Sequence, residues 1–266
     1  MTFSSFLRFL VVLGIVILEP IFCSSISWAQ IITNEVINKL DANYYYPHKK
    51  GLLNISAQVK WEQQDVTTEK NTVFKKLDFR FYGEFKGGIF RKGFVINESG
   101  VILSDDEKKQ YTKRLNSYLD AFIPMTLHEK FSKYQGRAKV AGKEKILLRF
   151  ENLDSSDTVK HYELLVDTFK WRLAGLRIRQ KHEPRNAEVK LFYSSKEGQW
   201  VVKETLSSFT VDDQKYLEKT EYMYKKTQSY WLVNRIRQRV QQDGHDIFLH
   251  TFRFVDYKIN SAAFDY

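Results

Sequence analysis

Beyond Cys23 the chain contains no cysteine. A mature protein that starts after that residue can form no disulfide and offers no thiol nucleophile. Other catalytic signatures are missing as well. The six histidines, at positions 48, 128, 161, 182, 245 and 250, show no close-spaced zinc pattern such as His-x-x-x-His. There is no Gly-x-Ser-x-Gly elbow and no Gly-x-x-x-x-Gly-Lys-Ser/Thr phosphate loop. The carboxylate groupings have local explanations. Asp105, Asp106 and Glu107 fall at a predicted helix start, where they complement the dipole. Asp154–Asp157 and Asp212-Asp213 fall in predicted turns, where aspartate belongs. The sequence therefore predicts no catalytic residue, no metal site and no cofactor. An enzyme acting on envelope polymers through distant, converging residues is only the third reading.

Long apolar runs are also scarce. The clear one is the ten-residue Phe9–Leu18, preceded by Arg8 and broken by Glu19-Pro20. Ser27-Trp28-Ala29 then places small residues at the −3 and −1 positions of a cleavage site before Gln30, so residues 1–29 read as a secretory signal. The run is short for a membrane span of about twenty residues. Bulky Phe22 opposes a lipoprotein signal ending at Cys23. Export and cleavage leave about 240 residues, read as one domain over 30–260 with a short tail at 261–266. The net charge of +10 survives cleavage, since the signal holds one Arg and one Glu. In an exported protein that charge favours anionic headgroups or acidic envelope polymers over nucleic acid.

What the chain has in quantity is alternation. In Lys145–Glu151, Ile146, Leu148 and Phe150 point one way, and Leu147 lies with the polar residues on the other. Tyr162, Leu164 and Val166 repeat the pattern, and Trp171 and Leu173 are expected to continue it on the next strand. There the apolar positions change register at Ala174-Gly175. A period of two marks a sheet with one buried face, and a register change at glycine marks a bulge that bends the strand. Ile55, Val59 and Trp61 define a first strand over Leu52–Glu62. Phe79 and Phe81 define a second, and Phe85–Ile96 a third, bent at Gly87-Gly88. Later hairpins include Ala187–Tyr193 with a Lys196-Glu197-Gly198 turn, Trp200–Leu206, Thr220–Tyr224, Tyr230–Val240 and Ile247–Val255 after Asp243-Gly244. Arg235, Arg237 and Arg239 share one face of Tyr230–Val240, either as contacts for phosphate or sulfate or as a solvated face.

Two segments break the β pattern. Ile31–Tyr46 reads as a helix with a narrow stripe of Val36, Ile37 and Leu40, ended by Pro47. About residues 104–134 a helical insertion opens with a Ser104/Glu107 capping box and lines up Tyr111, Leu115, Tyr118, Leu119 and Phe122. It covers a sheet face or acts as a movable lid. The fold class is mainly β (α+β), a curved antiparallel sheet covered by amphipathic helices. Aromatic residues reach 15%. They fill either a dry core or a concave cavity suited to acyl chains. A transmembrane barrel is opposed by the helical insertion, the charged turns and a tail without a closing membrane strand.

The order of these elements resembles the outer-membrane lipoprotein carrier (LolA-like) superfamily. The resemblance rests on an exported chain opening with a helix and on the long strand Leu52–Glu62. It extends to the segment around Lys139-Val140-Ala141-Gly142-Lys143, to Leu165-Val166-Asp167-Thr168 and to Leu173–Ile178. Trp231-Leu232-Val233-Asn234-Arg235-Ile236 and Asp256-Tyr257-Lys258-Ile259-Asn260 look like that family's last two strands. The resemblance implies an incomplete β-barrel closed by helices, which holds lipid tails or lipoprotein acyl chains in the periplasm without covalent chemistry. It also implies a monomer that meets inner- and outer-membrane lipid transport proteins and binds no nucleic acid. Under it, Ile55, Val59, Trp61, Phe79, Phe81, Ile146, Leu148, Phe150, Tyr162, Leu164 and Trp171 line the cavity. Tyr111, Leu115 and Leu119 form its cover. A gating arginine in the best-known carriers has two candidates, Arg80 and Arg91. The alternative is an envelope interaction or sensor domain that uses the same fold with a filled core.

Overall fold

Alternation along the chain becomes one sheet. The structure, a computed structural model, describes residues 32–67, 72–86, 89–96, 103–116, 118–154 and 158–261. The expected leader at 1–29, the Gly87-Gly88 bend and the tail after Ser261 lie outside the described residues. The first three strands are β1 (Asn54–Asp65), β2 (Thr72–Lys86) and β3 (Ile89–Ile96). A meander then runs through β4 (Tyr134–Gly142), β5 (Lys145–Asn152), β6 (Val159–Asp167), β7 (Arg172–Gln180) and β8 (Asn186–Lys196). It continues through β9 (Gln199–Val211), β10 (Gln214–Thr227), β11 (Tyr230–Gln242) and β12 (His245–Ile259). All twelve strands pair in the order β3-β2-β1-β12-β11-β10-β9-β8-β7-β6-β5-β4. The two halves join where β1 pairs antiparallel with β12, Ile55 opposite Ile259 and Trp61 opposite Phe252. Strands β3 and β4 are edges that do not pair with each other, so the sheet is open where a barrel would close.

Helices cover one face, here called inner. Residues 32–43 form α1, followed by a 3-10 turn, η1 (Pro47–Lys50). The insertion forms α2 (Asp105–Asn116), α3 (Leu119–Phe122) and α4 (Leu127–Phe131). The Ser104/Glu107 capping box is present: Glu107 Oε2 accepts from the Ser104 N–H at 3.0 Å, and the Glu107 N–H donates to Ser104 Oγ. A second box, Thr126 with Glu129, starts α4.

Several expected boundaries move. The first helix stops at residue 43, because Tyr44, Tyr45 and Tyr46 leave it to form tertiary contacts. Phe85 belongs to β2 and pairs with Phe90, so the segment 85–96 is a hairpin and not one bent strand. Trp171 is not in a strand. It sits in the β6–β7 turn with φ 46, and β7 starts at Arg172. The register change at Ala174-Gly175 is a bulge as expected. Val166 pairs with Leu173 and Leu165 with Gly175, which leaves Ala174 as the extra residue.

Packing divides into two cores. Under α2 and α3, Trp61, Phe79, Phe81, Tyr111, Leu115, Phe122, Ile236 and Phe252 form one cluster. Under α1 and α4, Leu148, Phe150, Leu164, Val166 and Leu173 pack against Val36, Ile37, Leu40 and Phe131 to form the other. The helix lies close over β4 at Gly136, where a Cβ would meet Thr33 Cγ2 at 2.7 Å and the Phe150 ring at 2.8 Å. A side chain there would push α1 off the sheet.

Candidate functional site: the inner face between two covers

Register across the sheet places one row of inner-facing side chains from β4 to β11. It runs Ala138, Leu148, Leu164, Leu176, Val189, Ser207, Glu218 and Val240. At the β5–β6 end this row is buried under α1, with Leu148 at 0% and Leu164 at 1% exposure. Towards the middle, Leu176, Val189, Ser207 and Glu218 are only half-buried. The next row along continues the pattern, with Ile178, Ala187, Phe209 and Tyr216 half-buried and the Phe209 and Tyr216 rings stacked at 5.5 Å. The middle strands thus carry an inner face that the two helical covers do not seal.

A polar seam borders this trough on the β10–β11 side. The Tyr118 hydroxyl, just before α3, donates to Gln238 Oε1 at 2.5 Å, and Gln238 Nε2 donates to Glu218 Oε2 at 3.2 Å. Burial raises the Glu218 carboxyl above its ordinary value. Gln238 and Thr220 are buried beside it. These bonds tie the α2–α3 cover to two strands of the sheet.

A second tether lies at the β3 edge. The Lys92 ammonium, with a side chain 7% exposed, reaches Asp120 Oδ1 at 2.8 Å and the Ile123 carbonyl at 2.7 Å. Lys130 approaches the same carboxylate at 3.2 Å. Burial lowers the Lys92 pKa, opposed by Asp120. Burial by itself would raise Asp120, but the two lysines outweigh it and hold its carboxyl below the ordinary value. The same aspartate therefore joins β3, α3 and α4.

The third device is the tyrosine strap of residues 44–46. Tyr44 makes a parallel bridge to Trp200, and the Tyr45 N–H donates to the Trp200 carbonyl at 2.9 Å. The Tyr44 hydroxyl accepts from the Leu173 N–H at 2.7 Å and lies 3.1 Å from the Tyr193 hydroxyl. Burial, partly offset by these hydrogen bonds, pushes the Tyr44 phenol up to about 12. The Tyr46 hydroxyl donates to Asp41 Oδ1 at 2.6 Å, and burial together with that carboxylate raises its pKa strongly. Asp41 also accepts from the Leu127 and His128 N–H groups at 2.8 and 3.0 Å, so α1 holds the start of α4. From the sequence, the three tyrosines read only as a helix terminus.

The residues expected to line a cavity are brought to the inner face, but not into one continuous wall. Ile55, Val59, Trp61, Phe79, Phe81, Tyr111, Leu115 and Leu119 belong to the first core. Ile146, Leu148, Phe150, Tyr162, Leu164 and Trp171 belong to the second. Arg235, Arg237 and Arg239 alternate with buried Ile236 and Gln238 and so occupy the outer face, where Arg239 pairs with Asp246 at 2.7 Å. Arg80 and Arg91 alternate with Phe79, Phe81 and Phe90 and also lie outward. The outer face holds a hollow of about 510 Å³ where Gly175 leaves space between Leu147 and Leu165 on one side and Leu206 and Leu217 on the other. Its Arg177 is neutralised by Glu188 at 2.8 Å and Glu163 at 3.2 Å. Among the described residues no three His, Cys, Asp or Glu side chains gather to hold a metal ion, and no helix is long and apolar enough to cross a membrane.

No protein-family profile and no curated protein sequence matches the chain. Solved structures do. The chain is similar to a DUF1329 family protein from Desulfovibrio piger, with 9% identity, TM-score 0.44, and 89% of this chain and 95% of that one covered. It is also similar to a putative outer membrane lipoprotein-sorting protein domain from Vibrio parahaemolyticus, with 10% identity, TM-score 0.40, and 87% and 93% covered. A LolA superfamily protein from Nitrosomonas europaea follows at 9% identity, TM-score 0.33, and 87% and 94% covered.

Proposed function

We propose that this protein binds the apolar tails of lipids or of lipoproteins, in the periplasm after export, and carries them without covalent chemistry. The observation that supports this most is the half-buried inner face of β8–β10, bounded by one helical cover on each side. Val189, Leu191, Phe209 and Tyr216 supply apolar surface there, and Thr205 and Ser207 interrupt it. A tail laid along these strands removes that surface from water, which contributes roughly 25 cal/mol per Å². Further depth comes from displacing a cover. The Tyr118–Gln238–Glu218 hydrogen bonds and the Lys92–Asp120 pair are then the contacts that open, and the residues of the two cores become the lining. Partner proteins of the inner and outer membranes fit the same reading as donor and acceptor of the cargo.

A second reading has its own support. Phe79, Leu115, Leu148 and Ile236 are all at 0% exposure, so both cores are filled, as in an interaction or sensor domain. Native mass spectrometry of the protein purified from the periplasm separates the two, together with titration of a fluorescent fatty acid. The carrier reading expects co-purified lipid and saturable uptake that Val189→Trp and Leu191→Trp abolish while the protein stays folded. Lipid-free protein that takes up no fatty acid overturns it and leaves the filled-core reading.

A further inference from the structure

The turns of the meander lie alternately at two rims of the sheet, and the rims differ in chemistry. One rim carries the β4–β5, β6–β7, β8–β9 and β10–β11 turns, together with η1. The other carries the β5–β6, β7–β8, β9–β10 and β11–β12 turns. Both sets make the same backbone demands, including left-handed residues. At the far rim these are met by Asp212, Asp213 and Asp243, the residue type that tight turns favour. On the near rim the turn residues in this conformation are Glu144, Trp171, Glu197 and Gln228, while Asn260, just past β12, is the residue there of a type that favours it. A tryptophan at φ 46 is a costly choice for a turn, so turn chemistry alone does not account for this rim.

Three further features converge there. First, Val140, at 77% exposure near the end of β4, and Phe169, at 72% in the β6–β7 turn, flank two adjoining turns; among the described large apolar side chains only Leu153, at 72% on the far rim, is as exposed. The turns are tied by the Thr168 N–H donating to the Glu144 carbonyl at 3.0 Å. Second, Lys139, Lys143, Lys145 and Lys170 are exposed within a few residues of that pair, outnumbering the exposed Glu144 among them. Third, every cation–π pair among the described residues lies on this rim. Lys39 sits 4.6 Å from the Trp171 ring, Arg172 5.1 Å from Trp200, and Lys196 4.2 Å from Trp231.

We propose that this rim docks on an anionic lipid bilayer, with Val140 and Phe169 entering the headgroup boundary and the lysines contacting lipid phosphates. Tryptophans with one apolar and one wet side prefer that boundary. Each lysine near an anionic surface adds to binding. The proposal does not depend on what the inner trough holds. It assigns the end of the sheet that faces a membrane, whichever cargo is carried.

The test is flotation of the protein with vesicles of phosphatidylglycerol and phosphatidylcholine, compared with phosphatidylcholine alone. Binding is expected only to the anionic vesicles and should fall with salt. Lys143→Gln with Lys170→Gln should weaken it about twenty-five-fold, from roughly fivefold per lysine. Val140→Ser with Phe169→Ser should weaken it by a similar factor, and brominated lipid should quench tryptophan fluorescence in the unmodified protein. Both pairs are exposed, so thermal melts should stay unchanged. Asp212→Asn with Asp213→Asn, on the far rim, should leave binding intact. The idea fails if neutral vesicles bind equally well. It also fails if the Val140/Phe169 pair is dispensable, since lysine-dependent binding without an apolar component is generic capture of a polyanion.

Discussion

His48 shows how one side chain can set a response to pH. Its ring lies between Phe85 and Phe90, with centroids at 6.1 and 5.9 Å, and neither ring nitrogen has a hydrogen-bond partner among the described residues. Burial lowers its pKa, opposed in part by Glu129 at 4.0 Å, with Lys49 and Lys92 adding to the lowering. The unfolded chain therefore takes up this proton at a higher pH than the folded one. Its contribution to stability is complete above the ordinary histidine value of about 6.5 and declines as pH falls through it. Thermal melts between pH 7.5 and 5 should show a loss of Tm that is smaller in His48→Phe, which keeps the aromatic stack and removes the titration. Equal losses in the two proteins would show that His48 is charged in the folded state. No motif marks this residue in the sequence, because its environment comes from a hairpin some forty residues away.

Among the elements, α1 and α4 are the pair whose relation is most specific. α4 spans only Leu127–Phe131, too short to be stable alone. It is held by its capping box and by Asp41, whose carboxylate, buried at 5% exposure, accepts from Tyr46, Leu127 and His128. Asp41→Ala leaves three donors without that acceptor and should destabilise the protein by about 3–4.5 kcal/mol, at roughly 1–1.5 kcal/mol per bond. Urea melts followed by near-UV circular dichroism would measure this; a loss under 1 kcal/mol would mean that water replaces the carboxylate. Gly136→Val acts on the same pair from the sheet side. Its Cβ would overlap Thr33 and Phe150, so a loss of 1–3 kcal/mol is expected from overpacking, read in the same melts. The helix stripe of Val36, Ile37 and Leu40 was legible from its spacing. Asp41 was not, since only the tertiary fold brings residues 127 and 128 to it.

At the scale of the molecule, the joining of β1 to β12 governs assembly. The meander β4–β12 pairs neighbours in sequence, whereas Ile55 meets Ile259 across most of the chain. Closing so long a loop is slow, and non-local pairings form after local ones. Pulse-labelling hydrogen exchange during refolding should therefore protect β5–β9 amides before those of β1 and β2. Simultaneous protection would mean that the β1–β12 pair nucleates the fold. The two filled cores and the trough between them also belong to this scale. So does the gathering of Trp171, Trp200 and Trp231 at one rim.

Much of the architecture was written in the periodicity. Side chains that alternate every second residue can bury only one face, so the strands, their inner residues, the bulge at Ala174-Gly175 and the Ser104 cap follow from local chemistry. Those choices are made within a few residues of chain and need no distant partner. Where each face lands is a different matter. That Leu148 and Phe79 belong to separate cores, that Lys92 is the buried cation while Arg80 and Arg91 point outward, and that three tyrosines strap the sheet to α1 all depend on pairings across long separations. Trp171 is the clearest case. Its spacing placed it on a strand with an inward side chain, but the turn that joins Asp167 to Arg172 holds it in a left-handed conformation at the rim. Alternation sets the sidedness of a strand; only the closed network of neighbours decides where that strand ends and what its last residue meets.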